Sequence, residues 1–244
     1  MIRRFALLAA VCLASTAQTF EVASVKSSPS PTGDLYNINL GTIKNDTLTF
    51  GNASLADCVR FAYGLTSDLQ LSAPDWMKSK EVRYDIVAKA APDTPREDLL
   101  KMLQALLADR FKLVLHSEKR ELAYYALVVS KSGSKLRPAS EAPATPPAGV
   151  QGQLRIVTNS IPMERVATLL SRYMRALVID ETGLAGRFEV KLVWTPDDRP
   201  IPEDERGPSV FTAVQEQLGL KLEPRKGPMD VLVIDRAEKT PVAN

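Results

Sequence analysis

Apolar and polar residues alternate along this chain with two periods, one typical of strands and one typical of helices. After Ser54, apolar side chains recur at helical spacing at Leu55, Cys58, Val59 and Ala62. A serine directly before such a pattern is a preferred N-cap residue. The sequence therefore predicts a helix that begins after Ser54.

A second helix is predicted to begin at Thr94 and Pro95. Thr94 and Glu97 have the spacing of a capping box, and proline suits the first helical position. Further helices are predicted over residues 162–174 and 208–218, the latter ending at Gly219. Alternating apolar positions predict strands at 20–26, 82–88, 153–158, 176–180 and 187–194, and hairpins at 35–50, 112–130 and 220–235.

The pattern of residues 47–129 recurs, shorter and altered, in residues 153–234. Residues 102–113 align without gaps on residues 211–222, and the apolar run 126–129 corresponds to 231–234. We therefore predict the α+β class, with two tandem modules, each of paired βαβ-like units whose helices pack on small mixed sheets. The predicted modules are residues 18–131 and 151–244. A proline-rich linker is predicted over 132–150, because its composition offers little apolar surface to bury.

The first residues have the composition of a secretory signal peptide. Arg3 and Arg4 precede a short apolar run over residues 5–14, and small residues precede a cleavage site after Ala17. A signal peptide over residues 1–17 places the mature chain in the periplasm or outside the cell. An uncleaved anchor is the alternative. Lipidation of Cys12 is disfavoured because Val11 stands where a small residue is needed.

The charge of the chain argues against nucleic acid as a partner. The full sequence has 31 basic and 29 acidic residues, and the signal peptide accounts for Arg3 and Arg4. The mature chain is thus close to neutral, whereas nucleic-acid-binding proteins concentrate basic residues on one face. Cleavage also removes Cys12, which leaves Cys58 alone and excludes an intramolecular disulfide. Contact with a membrane is expected only through a partner, and the oligomeric state stays open.

Few residues offer chemistry. His116 is the single histidine, and strand alternation predicts that it is half-exposed. Cys58 lies in an apolar stripe and is expected to be buried. The acidic segment 195–207 is expected to be an exposed loop, and the sequence has no phosphate-binding or zinc-ligand motif. We assign no catalytic, cofactor-binding or metal-binding residues, and we expect no cofactor.

Exposed sheet edges are the more promising feature, because a small sheet can accept an extended segment of a partner as an additional strand. Trp76, His116 and Tyr124 are the candidate interaction residues. The sequence predicts a non-enzymatic module that binds a protein or peptide of the cell envelope. The alternative is an envelope hydrolase or glycan-binding protein in which His116 acts with Glu118 or Glu121.

Several segments resemble the signature blocks of the soil-associated exported protein family, a family of unknown function that is abundant in acidobacteria. The blocks are Phe20 to Lys26, Phe61 to Gly64, Pro74 to Trp76, Leu107 to Leu113, Asp180 to Leu184 and Gln217 to Leu222. The resemblance covers essentially the whole mature chain. It implies export, and it implies no activity or catalytic residues. Some members resemble extracytoplasmic appendages of BlaR-type membrane peptidases, which suggests sensing or docking.

Residues 167–192 and 214–234 are also similar, more distantly, to the short N-terminal domain of secretins and TonB-dependent proteins. The similarity rests on a helix, the segment Asp180 to Gly186 before a strand, and a second helix that ends in Leu218 and Gly219. In that domain, paired βαβ units contact partner proteins. The resemblance therefore implies a role in protein binding, although this chain lacks the barrel or secretin region that normally follows.

Overall fold

The computed structural model describes residues 19–28, 38–141, 152–196 and 206–242. The predicted signal peptide 1–17, residues 142–150 of the predicted linker and most of the acidic segment 195–207 lie outside the described residues. The described chain has the predicted α+β class, with helices beside three small sheets.

Four α-helices occur among the described residues: α1 Leu55–Ala62, α2 Arg96–Phe111, α3 Met163–Met174 and α4 Val210–Leu218. Short 3₁₀ turns occupy Asp68–Gln70 and Asp75–Lys78. The described strands are β1 Val22–Ser27, β2 Asn39–Lys44, β3 Thr47–Ala53, β4 Leu71–Ser72, β5 Tyr84–Lys89, β6 Val114–Val129, β7 Arg137–Pro138, β8 Leu154–Ile161, β9 Val178–Asp180, β10 Phe188–Trp194 and β11 Leu220–Arg236.

The chain divides into two compact units. Unit 1 comprises Met1–Tyr63, Pro74–Val114 and Arg236–Asn244. It contains an antiparallel four-stranded sheet in the order β1-β5-β3-β2, and α1 contacts α2, β2 and β3. Alternate side chains of β3 and β5 are fully buried, which gives the sheet one face directed to the core.

Local sequence signals explain the start of unit 1. Asn45 and Asp46 connect β2 to β3 with positive φ angles of 48° and 57°. These angles match the tight turn that suits the twist of a hairpin, and the predicted hairpin is confirmed. Ser54 caps α1 as predicted, with its hydroxyl accepting from the backbone N–H of Asp57.

The capping box predicted for α2 is wrong. The hydroxyl of Thr94 donates to the carbonyl oxygen of Ala91 at 2.6 Å, so it faces the preceding turn. Pro95 is extended, with ψ of 144°, and the helix begins one residue later at Arg96. A threonine side chain can bond to either neighbouring turn, and the sequence spacing does not decide between them.

Unit 2 comprises Gly64–Ala73 and Leu115–Asp235. Its sheets have the strand orders β7-β10-β8 and β4-β11-β6-β9. Helix α4 contacts β10, and α3 contacts β9. The core of the unit is built from α3, α4, β8 and β10, and its buried side chains include Leu170, Leu192, Trp194 and Val214.

The hairpins predicted over 112–130 and 220–235 are wrong. Each segment is one long strand, β6 or β11, and the two strands are neighbours in the same sheet. The charged residues 118–121 are compatible with a turn. They are equally compatible with exposed positions of a continuous strand, which is what the structure has. Pro224 and Pro228 lie where no described strand covers the outer side of β11, and proline is tolerated at such an edge.

Both long strands receive a short parallel neighbour. Leu71 of β4 pairs with Leu232 of β11, and Val178 of β9 pairs with Tyr125 of β6. The order β3-α1-β4-β5-α2-β6 recurs as β8-α3-β9-β10-α4-β11. The last strand of each predicted copy thus pairs with the short strand of the other. The order of elements agrees with a duplication, and the duplication itself stays a prediction.

The compact units have other bounds than the predicted modules 18–131 and 151–244, and those modules stay a prediction. The chain passes between the units after residues 63, 73, 114 and 235, and the predicted linker 132–150 falls within the range 115–235 of unit 2. Residues 132–141 belong to unit 2, where Arg137–Pro138 pairs with β10 and the N–H of Lys135 donates to the carbonyl of Leu218. Backbone hydrogen bonds hold this segment, and they require no apolar side chains, so its composition does not reveal them.

Candidate functional site

The three predicted interaction residues occupy separate places. Trp76 is half-buried in the 3₁₀ turn Asp75–Lys78 of unit 1, where the Nζ of Lys239 lies 5.8 Å from the centre of its ring. His116 and Tyr124 lie on β6 in unit 2. Because the spacing of His116 and Tyr124 is even, both side chains lie on the same face of that strand.

His116 is exposed and bonded to an acid that sequence reasoning did not assign to it. Its Nδ1 lies 2.9 Å from both carboxylate oxygens of Asp235, and its Nε2 lies 3.8 Å from Oε2 of Glu118. The hydrogen bond to Asp235 raises the pKa of His116 above its ordinary value, and Glu118 adds to this effect. Asp235 is 119 residues away in sequence, so no local pattern could have identified it.

His116 and Asp235 together have part of the arrangement of a general base. An acid orients the imidazole, as a hydrolase requires, but within the described residues His116 bonds to carboxylates and to no hydroxyl or thiol. Half of its side chain is exposed to solvent. Glu118 is the nearer of the two predicted partners, because Glu121 lies five residues along the same strand, roughly 16 Å away. The geometry is that of an exposed ion pair.

A pH titration can test this contact directly. We expect His116 to titrate above 6.5 in the folded protein, since the hydrogen bond to Asp235 favours the protonated ring. The resulting stabilisation is fully present below the unfolded pKa and is lost as pH rises through the folded pKa. Because the chain has one histidine, NMR of its ring resonances reports this group alone.

Asp235→Asn should bring the pKa of His116 down towards its ordinary value. Glu118→Gln is the matched control and should lower it less, because Glu118 is the more distant acid. An unchanged pKa in Asp235→Asn would show that the contact does not persist in solution.

Tyr124 belongs to a second polar cluster on β6. Its hydroxyl donates to Oε1 of Glu181 at 2.9 Å, and Glu181 also pairs with Arg225 of β11. The hydrogen bond to Glu181 raises the pKa of Tyr124, and Arg225 opposes that shift. Arg225 also bonds to Glu223 at 3.1 Å. The hydroxyl is therefore engaged within the protein, and the ring remains half-exposed for contact.

Cys58 is fully buried in α1, as predicted. Burial raises its pKa far above the ordinary value of a thiol, and the nearby Asp57 adds to the shift. A thiolate is the reactive form of cysteine. Cys58 is thus a core side chain and unsuited to nucleophilic chemistry.

Within the described ranges, no cluster of three or more His, Cys, Asp or Glu side chains is arranged to bind a metal ion. In the same part of the chain, every helix is too short or too polar to cross a bilayer.

The outer edge of β1 offers unpaired backbone. β1 pairs with β5 in an antiparallel register that places Ser24 opposite Val87 and Lys26 opposite Asp85. The N–H of Ser28 donates to the carbonyl of Arg83, so residues of even number in β1 bond to β5. The backbone groups of Ala23, Val25 and Ser27 therefore point away from the sheet. No strand of the described chain pairs with them.

The other described edges are shorter or interrupted. β4, β7 and β9 have two or three residues each. β2 has a register shift between Asn39 and Thr42, and such irregularities make an edge less able to pair. On β8, the carbonyls of Asn159 and Ser160 already accept hydrogen bonds from Ser140 and Arg187. Among the terminal strands of the described sheets, β1 is thus the longest one with an uninterrupted register.

Comparison with known families gives a match over most of the chain. The family described as "Protein of unknown function (DUF3738)" matches residues 56–237, well over half of the chain, so the chain belongs to this family. No curated protein and no solved structure matches the chain. The match begins in α1, after β1, β2 and β3. A role for the β1 edge is therefore inferred from this chain and is not transferred from the family.

Proposed function

We propose that this member of the DUF3738 family is an exported, non-enzymatic module that binds an extended protein or peptide segment of the cell envelope. The segment would add to the sheet of unit 1 along β1. The open edge at Ala23, Val25 and Ser27 is the observation that carries this proposal. In such recognition, main-chain hydrogen bonds supply affinity and alternate side chains supply specificity.

The side chains of β1 suit this mode of binding. Val22 is 66% exposed on the outer face of the sheet, next to the polar positions Ser24 and Lys26. An added strand could cover Val22 and place an acidic side chain near Lys26. Each backbone hydrogen bond contributes about 1 kcal/mol net. Three or four such bonds correspond to a Kd of only about 1 mM. Contacts of side chains such as Val22 therefore have to supply the rest of the affinity of a tighter complex.

The proposal that the protein is exported rests on the signal-peptide pattern of residues 1–17. Cleavage after Ala17 would make Val22, where β1 begins, the fifth residue of the mature chain. Mass spectrometry of the protein secreted by a host with a general export pathway should give a first residue at Gln18. A mass that retains residues 1–17 would count against cleavage and favour the anchor.

The binding mode can be tested with a phage-displayed octapeptide library panned on the mature protein. We expect enriched peptides to alternate apolar and polar residues. Their binding should protect the outward amides of Ala23, Val25 and Ser27 from hydrogen exchange.

Ala23→Pro removes an outward N–H of β1 and leaves the bonds to β5 intact, so it should weaken these peptides at least tenfold. Ala23→Ser is the matched control, because it keeps the N–H, and it should bind as the parent does. Failure to enrich any peptide would contradict strand addition at β1, as would enriched peptides that bind Ala23→Pro normally.

A further inference from the structure

A small polar cleft lies in unit 2 between β7, β10 and the end of α4. Its volume is about 230 Å³, and three basic side chains line it, Lys135, Arg137 and Lys191, with Glu189 as the one acidic side chain. The antiparallel register of β7 and β10 places Arg137 opposite Glu189. Lys191 follows two residues along β10, so these three side chains lie on one face of the sheet.

Two of the three cations are already matched. The Nζ of Lys191 lies 2.7 Å from Oε1 of Glu189, and this hydrogen bond lowers the pKa of Glu189, with a further contribution from Arg137. The Nζ of Lys135 donates to the carbonyl of Glu216 at 2.7 Å. That carbonyl is in the last turn of α4, where the helix carries partial negative charge.

Arg137 is the third basic side chain of the cleft, and within the described chain it lacks such a partner. Among the described residues, its guanidinium has no hydrogen-bond acceptor, and Glu189 opposite it is engaged by Lys191. Guanidinium presents parallel N–H groups that fit a carboxylate in two hydrogen bonds. The cleft therefore has an excess of positive charge and an arginine without a bonded anion.

One wall of the cleft is held by hydrogen bonds, and the volume of the cleft is limited. The side chain of Gln217 bonds to both the N–H and the carbonyl of Val193, at 2.9 and 2.8 Å, which holds it in place. Leu136 and Leu218 add apolar surface. Sites for drug-sized ligands and cofactors usually measure about 300–1,000 Å³. This cleft is smaller, and it suits one short side chain or a chain terminus.

We infer that this cleft binds a carboxylate of an acidic peptide, with Arg137 as the residue that bonds it and Lys191 as a supporting charge. β7 is the outer strand of its sheet, so a peptide can approach beside Arg137. The carboxylate comes from an acidic side chain or from a free carboxyl terminus. The inference does not rest on strand addition at β1, because the cleft is built entirely within unit 2.

The test is an NMR titration of the full mature protein with four probes. Acetyl-Ala-Ala-Glu-amide carries a side-chain carboxylate, and acetyl-Ala-Ala-Ala carries a terminal one. Acetyl-Ala-Ala-Gln-amide is the neutral control, and inorganic phosphate is the non-peptide anion. We expect at least one carboxylate peptide to shift the amides of residues 135–137 and 189–191 with saturation, and the better of the two identifies the source.

Arg137→Gln should weaken that peptide at least tenfold, and Arg137→Lys should restore part of the affinity. Arg155→Gln is the matched control, since Arg155 is an exposed arginine on β8 of the same sheet, and it should leave binding unchanged. An equal loss of peptide affinity in Arg137→Gln and Arg155→Gln would show that the net charge of the protein accounts for the effect. That result would overturn the proposed site. The assignment also fails if the neutral peptide binds equally, if phosphate binds as tightly, or if no probe saturates. Ala23→Pro should not affect this titration, which separates it from the test of β1.

Discussion

Asp57→Ala is expected to lower the free energy of unfolding of unit 1 by about 3 kcal/mol, because it removes an acid from a buried ion pair and leaves an arginine unmatched. Asp57 lies in the first turn of α1 and is only 9% exposed. The NH1 of Arg83 lies 3.4 Å from its Oδ2, and the side chain of Arg83 is 11% exposed. Arg60 pairs with the other carboxylate oxygen.

The same carboxylate also holds the start of the helix. The backbone N–H of Ser54 donates to Oδ2 of Asp57 at 3.0 Å, and the hydroxyl of Ser54 donates to it at 2.6 Å. Loss of a helix cap alone costs about 1 kcal/mol. The larger part of the expected effect thus comes from the buried charge of Arg83, which would no longer be compensated.

Asp98→Ala is the matched control. Asp98 also lies in the first turn of a helix, α2, and also pairs with a cation three residues later, Lys101. Lys101 is 71% exposed, and an exposed pair of this kind contributes under about 1 kcal/mol. Asp57→Asn keeps an acceptor for the cap and removes the charge, so its effect should lie between the two alanine variants.

Urea titration followed by hydrogen exchange in peptides of unit 1 gives the free energy for that unit. Equal losses in Asp57→Ala and Asp98→Ala would show that burial adds nothing to this ion pair.

Gly219→Ala is expected to destabilise unit 2 by about 3 kcal/mol, from backbone strain and from a collision with neighbouring backbone. Gly219 ends α4 with φ of +67°, a region that L side chains rarely adopt. A Cβ atom there would lie 2.3 Å from the carbonyl oxygen of Gly133 and 2.7 Å from the N of Lys135. Neither atom can move alone, because both belong to the chain that leads into β7.

Gly64→Ala separates the two causes. Gly64 follows α1 and has nearly the same φ, +65°, but a Cβ there would meet no atom within 4 Å. It should cost about 1 kcal/mol, which is the conformational part alone. Hydrogen exchange of peptides from α4 and β7 measures the loss in Gly219→Ala, and circular dichroism checks that both variants fold. A cost at Gly219 no larger than that at Gly64 would refute the close approach of the backbone.

The helices and several strands follow from the sequence for local reasons. α3 and α4 lie within the predicted ranges 162–174 and 208–218, and α4 ends at the predicted Gly219. An apolar stripe, a cap and a left-handed glycine act within a few residues of one another, so a single sequence contains the whole signal. The α2 start is the exception, because Thr94 had two nearby partners and bonded to the earlier one.

The candidate sites follow from the sequence much less. His116 was singled out as the only histidine, and its exposed position on a strand face was predicted, but its partner Asp235 comes from another strand. Tyr124 was likewise predicted as an interaction residue, but the sequence did not identify its neighbours Glu181 and Arg225. Arg137 lay in a segment whose composition predicted a linker, and it gained a role only when that segment paired with β10.

The sequence by itself determined the α+β class, the helices, the Ser54 cap of α1 and the turn at Asn45 and Asp46, since these depend on periodicity and on neighbouring residues. Tertiary structure decided that 112–130 and 220–235 are two long strands side by side, that each accepts a short parallel neighbour, and that residues 132–141 join unit 2. Strand pairing joins residues that are far apart in sequence through backbone groups, which are the same at every position. A pattern of side chains therefore predicts where a strand is, and the packed fold selects its partner.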